Sequence, residues 1–316
     1  MDVTIIIPTY NRLWCLPRAL ESCRKNNKVT VQIIVVDDGS TDGTWDYLTK
    51  QTDILAIRQE KWGKPWAVNK AFSKAEGKYV KFLDSDDWLV ENSIDEQFEL
   101  AEKNKADIVV AGYDVYVKDK LTRTQNWIEC DDFIAQQLGE CDSSHYSAFL
   151  FKKSFIDDIP HRTSFASANF ASRDDRCFML EVALKEPIIA ISNKPTLCHF
   201  HHEKGRLQFQ ESMGSVGTNL QHLLIYKNIL HLLSQTDRLT KRRIDASTKI
   251  LWPLAHWIAK THFQDANDVY KWILELNPSF EIPDRGAIGF LYNKLGFATT
   301  EKLLTIRRKL KFGLWN

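Results

Sequence analysis

Hydrophobic residues in the first third of the chain gather into short unbroken runs. Residues 3–7 form one such β-branched run, which Pro8 closes, and residues 31–36 form a second, which Asp37 closes. Unbroken runs of this length are typical of strands buried on both faces of a parallel sheet. Between them, apolar residues recur at helical spacing, at Leu13, Leu16, Leu20 and Cys23. The pattern therefore predicts a strand, a helix and a parallel strand, the start of a βαβ architecture.

The alternation of strand and helix continues to about residue 200. It predicts a helix that opens with a capping box of Ser93 and Glu96. It also predicts helices over residues 44–50, 65–75 and 174–184, and strands over residues 54–57, 79–83, 108–111, 148–151 and 188–191. A nucleotide-binding sheet of this type places its ligands beyond the carboxyl ends of its strands.

Beyond about residue 215 the pattern is helical. Two apolar stripes predict the core of a small bundle; they comprise Trp252, Leu254, Trp257 and Ile258, and then Val269, Trp272, Ile273 and Leu276. The change of pattern falls between residues 205 and 215. We therefore predict an α/β domain over residues 1–210 and a helical region over residues 211–316, which would contact a substrate, a membrane surface or another copy of the chain.

The last predicted helix, from Lys302 to Phe312, is basic and amphipathic. It sets three apolar residues against four cations, namely Leu303, Ile306 and Leu310 against Arg307, Arg308, Lys309 and Lys311. One interpretation is a helix that lies on a membrane surface. The alternative, which we favour, is a helix docked on its own domain with a charged outer face.

Composition narrows the classes of protein. The 316 residues carry 42 Lys and Arg against 41 Asp and Glu, so no overall field attracts nucleic acid. No run approaches the roughly 20 apolar residues needed to span a bilayer. Six cysteines lie scattered without paired spacing, and no secretory leader precedes them. We therefore expect reduced thiols and a cytoplasmic protein, at most peripheral on the inner face of the membrane.

Acidic residues follow the strand predicted over residues 79–83. Asp84, Asp86 and Asp87 repel one another unless a cation or hydrogen-bond donors neutralise them. A Mg²⁺ or Mn²⁺ ion shared with a diphosphate fits this need, whereas the simpler alternative is a solvated turn with an acidic helix start. A second acidic strand end, at Asp37 and Asp38, favours the cation, because neighbouring strand ends line one crevice in which a nucleotide fits.

At this point the sequence resembles the family 2 glycosyltransferases, which have the GT-A fold. The similarity covers about the first 110 residues well and continues more weakly to about residue 205. The matching segments are Ile5 to Arg12, Val35 to Asp42, Ala67-Val68-Asn69, Ala75 to Val80 and Phe82 to Asp87. One departure is Lys61, where relatives commonly have Asn. The resemblance implies an α/β fold with a mixed, mainly parallel nucleotide-binding sheet flanked by helices, followed here by a helical C-terminal region.

The resemblance also implies a role for each matching residue. Asp38 would accept a hydrogen bond from the base, uracil in most relatives, and Asp84 would lie beside the ribose. Asp86, the second acid of the Asp-x-Asp motif, would bind the divalent metal. Further substrate contacts would come from Pro8, Thr9, Tyr10 and Ser85. Lys64 lies beside a predicted helix start and would pair with the donor phosphate, although an exposed lysine is by default only a solvated charge.

The reaction needs a base, and the family places an acidic pair at a helix start. The second acid, Asp175, is the candidate, which implies inversion at the anomeric carbon. Asp174 replaces the usual Glu, so either acid could face the acceptor. The run from Cys198 to His202 does not predict a zinc site, because alternate strand residues face opposite sides. His202 matches a family histidine near the metal or diphosphate, and the alternative is an ordinary polar strand end.

The resemblance thus predicts transfer of a sugar from a nucleotide-diphosphate donor, a UDP-sugar in most relatives. The acceptor would be a saccharide or lipid-linked saccharide in cell-surface polysaccharide synthesis, bound by residues 115–170 and 200–215. One alternative is a nucleotidyltransferase, but the Gly-rich loop of that class is missing after Ile7. A second is a non-catalytic sugar-nucleotide-binding protein, which the presence of both Asp86 and Asp175 disfavours.

Overall fold

A computed structural model describes residues 1–26, 28–164, 173–202 and 213–312, with side chains described over 1–26, 28–164, 173–202 and 217–307. The chain forms two compact units. One comprises Met1–Phe133 and Asp142–Arg206, and the other comprises Ile134–Cys141 and Leu207–Asn316. The predicted change of pattern between residues 205 and 215 falls mostly outside the described residues.

The first unit contains two sheets. Its strands are β1 (Val3–Thr9), β2 (Val31–Asp37), β3 (Leu55–Arg58), β4 (Tyr79–Phe82), β5 (Trp88–Leu89), β6 (Ile108–Val110), β7 (Tyr113–Val117), β8 (Lys120–Gln125), β9 (Leu150–Lys152), β10 (Ile189–Ile191) and β11 (Leu197–His201). The larger sheet has the order β10-β6-β9-β4-β1-β2-β3, and the smaller has the order β5-β11-β7-β8. Among the strands that the structure describes, β9 alone runs antiparallel to its neighbours in the larger sheet. The predicted mixed, mainly parallel sheet is therefore confirmed.

Helices flank the larger sheet and make up the second unit. They are α1 (Leu16–Cys23), α2 (Thr44–Leu48), α3 (Lys64–Phe72), α4 (Ser93–Asn104), α5 (Phe133–Leu138), α6 (Lys153–Ile156), α7 (Asp174–Leu184), α8 (Met213–Gln235), α9 (Lys241–Ile258), α10 (Phe263–Leu276) and α11 (Gly286–Phe312). The last is broken at Gly296, where φ is 74°. The predicted fold class, α/β with a helical C-terminal region, is confirmed. No helix within the described part of the chain combines the length and hydropathy that crossing a bilayer demands.

Burial explains why the first strands form. Every residue of β1 is buried, and β2 becomes fully buried over its last five residues, whereas the edge strand β3 is partly exposed. β1 pairs in parallel with β2 on one side and with β4 on the other. The carboxyl ends of these three strands therefore lie next to one another, at the edge where the candidate site begins.

Residues 134–141 join the second unit through contacts distant in sequence. The Tyr226 hydroxyl donates a hydrogen bond to the Leu138 carbonyl at 3.0 Å. The Arg242 guanidinium makes two hydrogen bonds to the Glu140 carboxylate, at 2.7 and 2.9 Å. Trp252 packs in the core of this unit against four other aromatic rings, those of Tyr270, Phe280, Tyr292 and Phe297.

Two details of the sequence interpretation are wrong. The capping box is absent because Asn92, not Ser93, occupies the N-cap position, in a left-handed conformation with φ 58°. The Ser93 hydroxyl is buried without a hydrogen-bond partner in the described residues. Trp257 is not in the core; it is 51% exposed, and the Lys260 ammonium lies 3.3 Å from its ring centroid. The remaining predicted elements form, with ends shifted by a few residues.

Gly77 precedes β4 where two backbones approach closely. A Cβ atom at this position would overlap the Thr4 nitrogen, and it would lie 2.6 Å from the Val3 carbonyl carbon and 2.7 Å from the Tyr79 oxygen. Because backbone atoms of the central sheet cannot move aside, we expect Gly77→Ala to lower the free energy of unfolding by about 3 kcal/mol. Urea denaturation followed by circular dichroism measures this.

Gly217→Ala is the matched control for this prediction. Gly217 lies in α8, and an added Cβ there would meet nothing within 4 Å. Since alanine favours the helix, we expect this variant to be unchanged or more stable by up to about 1 kcal/mol. Equal unfolding midpoints for Gly77→Ala and the wild type would contradict the close approach.

Candidate active site

The loops that follow β1 and β2 are hydrogen-bonded to each other. The Asp38 N–H donates to the Thr9 carbonyl at 2.9 Å. Asn11, in a left-handed conformation with φ 52°, donates its N–H to the Ser40 hydroxyl at 2.8 Å. Its side-chain oxygen accepts from the Thr41 N–H at 2.8 Å. The two predicted nucleotide-binding segments are therefore one continuous surface.

The Asp38 carboxylate holds the loop that leads into α3. One oxygen, Oδ1, accepts from the Gln59 side-chain amide at 2.7 Å and from the Trp62 N–H at 2.9 Å. The other, Oδ2, accepts from the Gly63 N–H at 2.9 Å. A carboxylate has about four acceptor positions, so one position on Oδ2 remains for a further donor. Asp38 can thus order the loop and still accept from a base.

Three further predicted substrate residues follow β1. Pro8 is buried, and Thr9 is 3% exposed with a buried hydroxyl that has no partner among the described side chains. Tyr10 is half-buried, and the Lys61 ammonium lies 4.3 Å from its ring centroid. The position where relatives commonly have Asn thus carries a cation over the Tyr10 ring.

Lys64 and Asp84 form an ion pair at this edge. Their charged atoms are 2.7 Å apart, and the side chains are only 19% and 26% exposed. Burial would lower the pKa of Lys64, but the charges of Asp84, Tyr146, Asp174 and Asp175 together outweigh it and raise that pKa well above its usual value. Lys64 is therefore an ammonium at the first turn of α3, where the helix dipole also favours an anion. Ser85, next to Asp84, is nearly buried at 7% exposure.

Asp86 is paired with two basic side chains. Its Oδ2 lies 2.9 Å from His202 Nε2 and 3.8 Å from Arg12 Nε. Burial would raise the pKa of Asp86, but the hydrogen bond from His202 and the Arg12 charge lower it to about 2. The carboxylate is therefore ionised over the whole physiological range.

Asp86 and His202 fit a divalent cation. Asp86 Oδ2 and His202 Nε2 are joined by a hydrogen bond of 2.9 Å, so a cation held by both atoms would have to displace the proton between them. His202 Nδ1 is buried and has no partner among the described residues, so its hydrogen bonding is incomplete. Carboxylate and imidazole are both suitable ligands for Mn²⁺, and carboxylate for Mg²⁺.

Asp87 belongs to a second group, which sequence reasoning missed. Ligand atoms of Asp87, His145 and His199 lie within 4.8 Å of one another, so this group could also hold a metal ion. Its members already have protein contacts: Asp87 accepts from the Phe200 N–H at 2.8 Å and lies 3.0 Å from His199 Nδ1. His145 Nδ1 accepts from the Ser147 N–H. Burial raises the pKa of Asp87 and lowers that of His145, which favours neutral forms.

The two acids that begin α7 have different surroundings. Asp174 is 2% exposed, and its Oδ2 lies 2.9 Å from Nδ1 of the buried His161. Asn69 holds the His161 backbone with two hydrogen bonds, at 2.7 and 2.9 Å. Asp175 is only half-buried, and its Oδ1 accepts from the Arg176 N–H at 2.7 Å. Asp174 is thus committed to His161, whereas Asp175 is accessible.

Comparison with known proteins decides the family. The model of the family described as "Glycosyl transferase family 2" matches residues 4–172, more than half of the chain. The protein belongs to glycosyl transferase family 2. The resemblance drawn from the motifs is therefore confirmed, and the matched segment contains Asp38, Asp84 and Asp86.

Several curated glycosyl transferases are similar to this family 2 protein in sequence. "UDP-Glc:alpha-D-GlcNAc-diphosphoundecaprenol beta-1,3-glucosyltransferase WfaP" of Escherichia coli is 36% identical over 114 residues, 35% of this chain and 45% of that protein. "Glycosyltransferase GlyG" of Streptococcus pneumoniae is 31% identical over 35% of this chain and 38% of its own. "Putative glycosyltransferase EpsH" of Bacillus subtilis is 30% identical over 48% and 43%. The chain thus spans less than half the length of each of these relatives.

Solved structures share the fold of this glycosyl transferase family 2 member. The structure of S. aureus TarS 1–349 in complex with UDP aligns with 98% of this chain and 92% of its own, with a TM-score of 0.55 and 14% identity. The complex of the same TarS segment with UDP-GlcNAc gives a TM-score of 0.54 with the same coverage and identity. At this identity the likeness concerns the fold alone.

Proposed function

We propose that the protein is an inverting glycosyltransferase. It transfers a sugar from a nucleotide-diphosphate donor, specifically a UDP-sugar, to a hydroxyl of a saccharide or lipid-linked saccharide in cell-surface polysaccharide synthesis. The observation that carries this proposal is the set of acids around the ends of β1, β2 and β4. Asp38 keeps one acceptor position, and Asp86 lies 2.9 Å from His202, which we propose as the second metal ligand.

The donor nucleotide binds over the joined loops that follow β1 and β2. Asp38 accepts from the base with its remaining position, while Pro8, Thr9 and Tyr10 frame the nucleotide. Asp84 and Ser85 lie on the ribose side, and Lys64 offers its ammonium to the diphosphate. UDP and UDP-GlcNAc are named in the TarS structures with this fold, which supports a uridine donor.

Asp86 and His202 hold the divalent cation, Mn²⁺ or Mg²⁺. Bound there, the cation supplies Lewis-acid stabilisation of the leaving diphosphate. The protein side chains position the donor around it. Arg12, 3.8 Å from Asp86, adds a fixed positive charge near the developing negative charge. These roles follow from the charges of the side chains and from the types of ligand atom. Sugar transfer in the absence of any divalent cation would contradict the proposal that Asp86 and His202 hold one.

Asp175 acts as general base. It accepts the proton of the acceptor hydroxyl while the hydroxyl oxygen forms a bond to the anomeric carbon. The bond from that carbon to the diphosphate oxygen breaks, and the diphosphate keeps the electron pair. A single displacement of this kind inverts the configuration. Asp175 suits this role better than Asp174, because Asp174 is hydrogen-bonded to the buried His161.

The acceptor remains the broadest part of the proposal. WfaP, 36% identical over the matched segment, is named for a lipid-diphosphate-linked acceptor. We propose an acceptor of the same class, bound by residues 115–170 and 200–215, of which 165–172 and 203–212 lie outside the described residues. The domain over residues 1–210 would carry the reaction. The helical region over residues 211–316 would carry further contacts, including a membrane contact from Lys302 to Phe312; side chains beyond residue 307 are not described.

A donor panel tests the proposal directly. We expect purified protein with Mn²⁺ to release UDP from one UDP-sugar, by transfer or by slow hydrolysis, and to lose this activity when EDTA removes the ion. Coupled UDP detection measures the release. Pyrophosphate release in place of UDP would instead indicate a nucleotidyltransferase. Neither binding nor turnover of any nucleotide sugar, measured by calorimetry and by the coupled assay, would overturn the assignment.

A further inference from the structure

A cleft in the second unit is lined by polar side chains beside the ring of Trp272. It has a volume of about 510 Å³ and lies at α8, α10 and the segment that follows α8. Its lining is Lys227, Leu230, His231, Ser234, Leu239, Trp272, Glu275 and Leu276. This volume lies within the range of about 300–1,000 Å³ that is usual for small-molecule sites.

The polar side chains of the lining are open to solvent. Lys227, His231, Ser234 and Glu275 are exposed, and Trp272 is half-buried. Accessible donors and acceptors gathered in one cleft around an aromatic ring are typical of a ligand site.

The chemistry of the lining selects the class of ligand. Trp272 and the leucines supply apolar contact area, and the Lys227 ammonium lies 5.8 Å from the Trp272 ring centroid. Lys227 and Glu275 carry opposite charges, so the cleft does not favour a strongly anionic ligand such as a phosphate or an acidic membrane surface. A sugar presents apolar C–H faces and hydroxyls that both donate and accept, which this mixture of groups can satisfy together.

We propose that this cleft is a saccharide-binding site. Its ligand is a neutral oligosaccharide, seated on Trp272 and hydrogen-bonded by Lys227, Glu275 and Ser234. Binding of an oligosaccharide in this cleft does not depend on the proposed function. We also infer that the bound saccharide is part of the acceptor, and this second step rests on the proposed function. The residues that line the site, from Lys227 to Leu276, lie beyond the family 2 match, which ends at residue 172.

A glycan array with two tryptophan variants tests the proposal. We expect wild-type protein to bind at least one neutral glycan, and Trp272→Ala to lose about tenfold or more in affinity for it, as measured by calorimetry. Trp257→Ala is the matched control, because Trp257 is 51% exposed on α9 and does not line the cleft. We expect the control to bind that glycan like the wild type.

A second variant guards against loss of folding. Glu275→Gln keeps the shape of an exposed side chain and removes its charge, so we expect weakened glycan binding with an unchanged circular dichroism spectrum. No bound glycan, or equal losses for Trp272→Ala and Trp257→Ala, would overturn the site. UDP binding measured on the same samples separates the two proposals: normal UDP binding with no glycan binding removes only the cleft, and the reverse removes only the nucleotide site.

Discussion

Asp175→Asn is expected to lower the rate of sugar transfer by about 10²–10⁴-fold, the usual contribution of a general base. The side-chain amide of the introduced Asn cannot accept the proton of the acceptor hydroxyl. Because Asn has nearly the same shape as Asp, we expect the start of α7 to be unchanged. We expect UDP affinity to change less than about threefold, because the substitution removes no predicted contact with the nucleotide. Initial rates with the donor identified by the panel, together with calorimetry for UDP, provide the measurement.

Asp174→Asn is the discriminating companion variant. Asp174 is bonded to His161 inside the protein, so its replacement should disturb the position of α7 and the stability of the fold. We expect a lower unfolding midpoint for Asp174→Asn and an unchanged midpoint for Asp175→Asn. If Asp175→Asn lost UDP binding and transfer in parallel, its role as base would be refuted. Full transfer activity in Asp175→Asn would also refute the role of Asp175 as base.

Asp38→Ala is expected to weaken UDP binding by about 10- to 150-fold, which corresponds to about 1.5–3 kcal/mol for a hydrogen bond to a charged group. The change also leaves three donors without their acceptor, those of Gln59, Trp62 and Gly63. We therefore expect a loss of about 2–3 kcal/mol in the free energy of unfolding as well. Calorimetry and urea denaturation measure the two effects.

Two variants separate these contributions. Asp38→Asn retains one side-chain oxygen as acceptor and should lie between Asp38→Ala and the wild type in both assays. Asp46→Ala removes an exposed acid from α2 and should match the wild type. A stability loss in Asp38→Ala without any loss of UDP affinity would assign Asp38 to the loop alone and remove it from base recognition.

The larger sheet was predictable because its strands are buried. A strand covered on both faces needs a largely apolar run, and β1 and β2 show such runs apart from Thr4 and Gln32. The hairpin of β7 and β8 was not predicted, since β8 is exposed along most of its length and has no apolar alternation to reveal it. The membership of residues 134–141 in the second unit was equally hidden, because it depends on Arg242 and Tyr226, far along the chain.

The candidate site likewise contains residues that the sequence predicted and residues that it did not. Asp38, Asp84 and Asp86 stand at strand ends within recognisable motifs, so residue type and position pointed to them. His145 and His161 lie alone in irregular segments, and only the folded chain brings them to Asp87 and Asp174.

Lys81 shows a further limit of sequence reasoning. It is fully buried, and its ammonium donates to Gln97 at 2.8 Å and to the Phe149 carbonyl at 3.2 Å. Burial lowers the pKa of Lys81 to about 7. A lysine inside a buried strand contradicts the usual pattern, and its two partners come from distant segments.

The acids after β4 bring their own counterparts. Asp84 is paired with Lys64, and Asp86 and Asp87 are hydrogen-bonded to His202 and His199, so each carboxylate is held by a side chain of the same chain. A cation or donor that binds here therefore meets side chains whose positions the protein has already fixed.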